Sequence, residues 1–234
     1  MSEHPIALVF GGSRGIGAAA VTALRADGFR VGWTHVGPDS GTDPDAFQLD
    51  VRDAAAVEEV FGKVAERFGA MPDCVVANAG INVPPAPIAQ VDPEVLRQLF
   101  EVNLFGAFNV LQSAARHCRD GGSIIGVSTA LVRFALPGAG PYIATKGALE
   151  CLLRSLQKEL APRRIRVNAV APGPVDTDLF RSGKTEEAIR RSAALSPFDR
   201  IGRPEEVGAV IAFLASDKAS WVAGQVVQPN GALV

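Results

Sequence analysis

The sequence predicts an α/β chain in which helices cover both faces of one parallel sheet, and three features carry that expectation. Short apolar runs alternate with amphipathic helical patterns from end to end, as a parallel sheet with crossover helices requires. The runs Ile6–Phe10 and Cys74–Ala77 are apolar throughout, the pattern of strands covered on both sides. Between the first run and the first helical pattern lies a glycine cluster, Phe10-Gly11-Gly12-Ser13-Arg14-Gly15-Ile16-Gly17, which makes a strand, a turn and a helix start. The 234 residues, 47% of them hydrophobic, can bury one substantial core. No Ser/Pro-rich linker divides them, so a single domain over 1–234 is expected. Acidic and basic residues are interspersed and the net charge is −2, which argues against a nucleic-acid partner. Cys74, Cys118 and Cys151 are odd in number and set in apolar patterns, so they read as reduced core residues and neither a disulfide frame nor a metal site. The first strand begins too early to leave room for a signal peptide, and no run approaches membrane-spanning length; a soluble cytoplasmic protein is the expectation.

Taken in order, residues 6–10 form the first strand and 18–26 the first helix, which Gly28 ends. The glycines at 11, 15 and 17 let the backbone turn and approach a phosphate, while the helix N-terminus offers free N–H groups and a partial positive charge. The spacing G-x-x-x-G-x-G is neither a P-loop nor G-x-G-x-x-G, so a plain structural turn competes with a nucleotide site. Residues 30–34 are the second strand. It ends in Thr34-His35-Val36 with no carboxylate to bind a ribose 2′-hydroxyl, and Arg14 with His35 could attract a 2′-phosphate, which leans the cofactor to NADP(H). Arg14 as a solvated loop residue is the competing reading. A Gly/Pro/Asp-rich loop covers 36–45, and a third strand covers 47–49. It ends at Asp50-Val51, where Asp50 could meet an adenine amino group or serve as a local cap.

Asp53 reads as the N-cap of a helix to about residue 68, with Val57, Val60, Phe61 and Val64 on one face. The fourth strand ends in Asn78-Ala79-Gly80, small enough for a cofactor to lie on the backbone. Asp92-Pro93 opens a long helix with Leu96, Leu99, Phe100, Leu104 and Phe108 expected inward. Asn103 falls among those apolar neighbours and needs buried partners. Strands follow at 123–127, 166–171 and 225–228. The fifth ends in Ser128-Thr129, and a later helix opens with Tyr142-Ile143-Ala144-Thr145-Lys146, which puts tyrosine and lysine on one face. Residues 178–199 read as a substrate lid or a surface helix anchored by Leu179, Phe180, Ile189, Leu195 and Phe198, and 204–214 as a capped amphipathic helix. Arg116, His117 and Arg119 form a small basic cluster that fits an acidic carrier or a solvated helix end.

The glycine turn, Asn78-Ala79-Gly80, Asn103, the hydroxyl pair, Tyr142-x-x-x-Lys146 and Pro172-Gly173 occur in this order over essentially the whole chain. In this the sequence resembles the short-chain dehydrogenase/reductase family. Through the glycine turn and Arg203-Pro204-Glu205-Glu206-Val207 it is most similar to 3-oxoacyl-[acyl-carrier-protein] reductases and their ketoreductase relatives. The resemblance implies a Rossmann-type seven-stranded sheet, a homotetramer and an NADP(H)-dependent carbonyl reduction, with a substrate carried on acyl carrier protein. An alcohol dehydrogenase on another secondary alcohol, or a silent NADP-binding sensor, is the alternative. It casts Tyr142 as proton donor and Lys146 as holder of the nicotinamide ribose. Asn103 would hold a water that relays protons from Lys146, and backbone near Pro172, Gly173 and Val175, with the Thr177 hydroxyl, would meet the nicotinamide carboxamide and diphosphate. The reverse, base role of Tyr142 needs its pKa lowered by about three units, ~4 kcal/mol. Spacing gives the family's catalytic serine position to Thr129, with Ser128 as the alternate. Phe10 stands where the family has threonine, and Pro229-Asn230-Gly231-Ala232 where relatives have Asp-Gly-Gly.

Overall fold

Five consecutive apolar residues without alternation make a strand only where both faces are covered, and β1 (Ile6–Phe10) is buried at every position. Ile6, Leu8 and Phe10 enter one core, Ala7 and Val9 the other. In the computed structural model, which describes residues 4–37 and 43–234, β1 leads into α1 (Gly15–Ala26), β2 (Arg30–His35), β3 (Ala46–Gln48), α2 (Ala54–Phe68) and β4 (Cys74–Ala77). There follow α3 (Pro93–Phe100), a π turn (Glu101–Gly106), α4 (Ala107–His117), β5 (Ser123–Val127), α5 (Leu131–Phe134) and α6 (Gly140–Leu160). The chain finishes through β6 (Arg166–Val170), α7 (Asp178–Arg181), α8 (Glu186–Ala193), α9 (Pro204–Ala215) and β7 (Val226–Val227). The seven strands make one parallel sheet ordered β3-β2-β1-β4-β5-β6-β7. Because the winding reverses between β1 and β4, a crevice opens there at the carboxyl edge of the sheet.

The two cores follow from the patterns of the helices. Val57, Val60, Phe61 and Val64 of α2, Val110 and Leu111 of α4, and Leu149 and Leu153 of α6 close over the face of Ile6, Leu8 and Phe10. On the opposite face lie Ala20, Val21 and Leu24 of α1 with Val207, Ile211 and Ala212 of α9. Alanine-rich α1 approaches α9 so closely that a Cβ on Gly208 would lie 2.7 Å from the Ala19 carbonyl oxygen. Asp53 caps α2 by accepting from Ala55 N and Ala56 N, and Asp92 caps α3 by accepting from Glu94 N, with Pro93 in the first turn, as expected.

Several expectations are corrected. Helix α1 begins at Gly15, inside the glycine turn, because Gly15 accepts a φ of +55° that residues with a Cβ rarely adopt. Leu96 and Phe108 are exposed where inward positions were expected. The π turn adds a residue to the helical register, so one 3.6-residue phase cannot be carried from 93 to 108. Cys151 is exposed on α6, whereas Cys74 and Cys118 are buried as predicted. Of the apolar anchors expected over 178–199, Ile189 is buried while Leu179, Leu195 and Phe198 are exposed around two short helices. The basic cluster is paired within the chain, Arg116 and His117 with Glu58 and Arg119 with Asp73. Positions 38–42 of the expected loop lie outside the described residues.

Candidate active site

The strand ends at the switch point position the glycine turn. Gly11 N donates to Thr34 Oγ1 (3.1 Å) and Gly12 N to Thr34 O (2.9 Å), so β2 supplies the hydroxyl that holds the turn while Phe10 packs into the core against the Phe61 ring. From β4, Asn78 Nδ2 donates to Gly11 O (2.8 Å) and Phe10 O (3.3 Å). A Cβ on Gly17 would lie 2.0 Å from the Gly11 carbonyl oxygen, and one on Gly11 would lie 2.9 Å from Ala79 Cα, so both sites require glycine.

The cleft above this turn has a volume of about 610 Å³. Gly11, Ser13, Arg14, Gly15, Ile16 and Gly17 line it at one side. No side chain caps the start of α1, so its first N–H groups are left for an anion. The cradle that a Cβ would fill and the uncapped helix start together fit the diphosphate of a dinucleotide.

At the adjoining wall stand His35, Asp50, Val51 and Arg52. His35 Nδ1 donates to Gly37 O (2.9 Å), which occupies one of the two ring nitrogens. Asp50 is held by Arg52, whose Nε lies 2.9 Å and Nη2 2.5 Å from Asp50 Oδ2; this contact keeps the carboxyl below its ordinary range. Val51 is buried, and its carbonyl accepts from Asn109 Nδ2 at 3.0 Å. Arg52 escaped the sequence reading, and its only signal there was a basic residue two places after Asp50 at a strand end. Arg14 has no carboxylate partner among the described residues.

The chemistry-bearing side chains converge at the ends of β5 and β4. Thr129 and Tyr142 both line the cleft, and the Thr129 side chain is near enough to act on the phenol. Ser128 is turned away, and its Oγ donates to Glu150 Oε1 at 2.6 Å, so the spacing-preferred Thr129, not Ser128, stands beside the phenol. One helical turn after Tyr142, Lys146 is buried and its Nζ donates to Val127 O at 2.8 Å. Burial pushes the Tyr142 phenol up to about 12, opposed by the Thr129 hydroxyl, and brings the Lys146 ammonium down to about 8.

Asn103, fully buried in the π turn, accepts from Ile81 N (2.8 Å) and donates to Ile81 O (2.9 Å) and Thr145 Oγ1 (3.4 Å). Its amide is therefore satisfied by protein groups. A Cβ on Gly80 would touch both Asn103 Oδ1 (3.1 Å) and Lys146 Nζ (3.4 Å), so both groups lie against Gly80. Pro172, Gly173, Val175 and Thr177 line the cleft after β6. Thr177 Oγ1 accepts from Phe180 N at 3.1 Å as the cap of α7, and its methyl lies beside Gly15. Val83, Pro85, Leu131, Phe134, Leu136 and Leu195 also line the cleft, with Lys184 set over the Phe180 ring at 4.4 Å. No group of three or more His, Cys, Asp or Glu side chains suited to a metal forms among the described residues.

Known proteins share this arrangement. A family profile described as enoyl-(acyl carrier protein) reductase matches residues 11–231. The chain is 37% identical to versicolorin reductase stcU of Emericella nidulans, over 98% of this chain and 95% of that one. It is 34% identical to the 3-oxoacyl-[acyl-carrier-protein] reductase MabA of Mycobacterium tuberculosis, over 97% and 91%. A short-chain dehydrogenase/reductase from Serratia marcescens superposes with a TM-score of 0.90 at 32% identity, over 98% of this chain and 97% of that one. With the match running through the glycine turn, the crevice and the Tyr142–Lys146 helix, this chain belongs to the short-chain dehydrogenase/reductase family of oxidoreductases, whose members bind a nicotinamide cofactor.

Proposed function

We propose that the protein is an NADPH-dependent carbonyl reductase of the 3-oxoacyl-[acyl-carrier-protein] reductase type. The observation that carries the reading is that Thr129, Tyr142 and Lys146 line one cleft, with burial raising the pKa of the phenol. A protonated Tyr142 is ready to give its proton to a carbonyl oxygen, which is the direction of reduction. Thr129 Oγ1 would hold that oxygen and the phenol in line. Lys146, still charged at neutral pH, would steady the developing negative charge and hold the nicotinamide ribose. When bound, the reduced nicotinamide supplies the hydride. Asn103 holds the Ile81 backbone next to Lys146 and would position the water for a proton relay.

The preference for NADP(H) over NAD(H) rests on Arg14 and Arg52 at the cofactor end, with no carboxylate at Thr34-His35-Val36. Asp50 is already neutralised by Arg52. The apolar residues that line the cleft suit an acyl chain, and residues 178–199, which border it, would act as its lid. Leu96, Phe105 and Phe108 on the α3–α4 run and Phe213 and Trp221 toward the C-terminal end are exposed apolar residues that the two kinds of interface of a homotetramer would cover. Two buried thiols without a disulfide partner suit the reducing cytoplasm. No helix among the described residues is long and apolar enough to cross a membrane.

The test is the rate of NADPH oxidation with a short 3-oxoacyl thioester, for the native protein and Tyr142→Phe. Turnover that disappears in the variant while NADPH still binds is the expected result. Native protein that binds NADPH and leaves the thioester and a wider ketone panel untouched would overturn the reading.

A further inference from the structure

Glu150 lies on α6 one turn beyond Lys146, is 5% exposed, and touches neither the glycine turn nor the phenol. Its two oxygens are both occupied. Oε1 accepts from Ser128 Oγ (2.6 Å) and Arg133 Nη1 (2.9 Å), and Oε2 accepts from Arg133 Nη2 (2.8 Å). Ser128 is the residue just before Thr129, and Arg133 belongs to α5. One carboxylate therefore fastens both ends of the segment 128–133. That segment carries Thr129 beside Tyr142 and Leu131 on the cleft wall, and Phe134 follows it directly.

Stability alone does not account for such a group. A carboxylate taken out of water loses most of what its ion pair returns, and replacing a buried pair by apolar side chains is often neutral or stabilising. What an apolar pair would not provide is direction. Two parallel N–H···O bonds from Arg133 and a short bond from Ser128 fix the segment at both ends, and a threonine hydroxyl with a stiff χ1 is placed by its backbone.

We propose that Glu150 is a positioning residue. By holding Ser128 and Arg133 it sets the seat of Thr129 against Tyr142 and the place of the Leu131–Phe134 wall. Its effect on turnover rests on the reductase reading above, whereas its effect on the phenol does not.

Tyr142 is the single tyrosine of the chain, so protein made with 3-fluorotyrosine gives one fluorine resonance that reports its surroundings. Spectra and kinetics would be recorded for the parent, Thr129→Val, the double variant Arg133→Met with Glu150→Met, and Ser128→Ala. The double variant is expected to melt close to the parent and to bind NADPH with unchanged affinity. Its resonance should move toward that of Thr129→Val, and kcat should fall about ten- to a hundredfold, the scale of an ångström-sized misplacement. A folded double variant with the parent's resonance and kcat would overturn the proposal. If that variant does not fold, Ser128→Ala decides by the same two readouts, since it removes only the strand-side bond. A parent with no turnover on any ketone would sink the reductase reading, and the fluorine spectra would still judge the role of Glu150.

Discussion

Tyr142 and Lys146 share one face of α6, yet burial moves their protons in opposite directions, the phenol up to about 12 and the ammonium down to about 8. As pH rises, Lys146 therefore loses its charge first, while Tyr142 stays protonated. Reduction by the free enzyme is expected to decline as pH passes about 8, through Lys146. Because Tyr142 is the only tyrosine, near-ultraviolet absorbance reads its ionisation directly. At pH 10 an ordinary tyrosine is about half ionised, whereas Tyr142 should be about 1% ionised. Phenolate absorbance rising in step with the loss of rate would contradict this assignment. Thr129 gives a companion prediction: Thr129→Ser keeps the hydroxyl and most of the activity, while Thr129→Val, of nearly the same shape, loses about a hundredfold in kcat. Thr129 was named from the spacing that the family resemblance implies, and it does line the cleft with Tyr142. The commitment of Ser128 was not legible, since its partner Glu150 is 22 residues away and only the packed α6 brings the two together. Glu150 was missed for the same reason, whereas Arg52 was missed beside Asp50, its partner two residues away.

The π turn shows what can be read from a single element. An asparagine amid apolar residues signals a buried amide that needs partners, and that much was legible at Asn103. Which partners it finds depends on the strand-four exit and on α6, and they prove to be the N–H and C=O of Ile81 with the Thr145 hydroxyl. The extra residue of the turn also rotates α4 against α3, which moved Phe108 from its expected inward place to the surface. A period measured across such a turn fails because the signal that marks it is a tertiary contact. Replacing Asn103 by leucine, close in size, would leave both Ile81 groups without partners at a cost of about 2–3 kcal/mol. The expected result is a lowered denaturant midpoint with an unchanged slope. A midpoint equal to the parent's would mean that the π turn is held by packing alone.

At the scale of the molecule, the parallel sheet and its covering helices were legible because the central strands β1 and β4 are apolar on both sides and the long helices on one, and a doubly wound sheet satisfies both patterns. The outer surface was less so, since an exposed apolar residue and a core residue look alike in sequence. Leu96, Phe105 and Phe108 are 39, 52 and 43% exposed, in the run from α3 through the π turn to α4. Trp221, 97% exposed, stands by contrast near the β7 edge of the sheet. Both regions expose apolar surface to water at a free-energy cost that burial in a partner copy would recover, at about 25 cal/mol per Å². A two-fold contact at each region closes four chains into a dihedral tetramer, while a contact at only one stops at a dimer. Placing charge in one region should therefore halve the assembly without unfolding its chains. For Phe105→Glu combined with Phe108→Glu, sedimentation is expected to give the mass of two chains where the parent gives four, with NADPH affinity retained because neither residue lines the cleft. A parent that sediments as a single chain would remove the tetramer from the proposed function. A variant that keeps the parent's mass would move the interface away from the α3–α4 face.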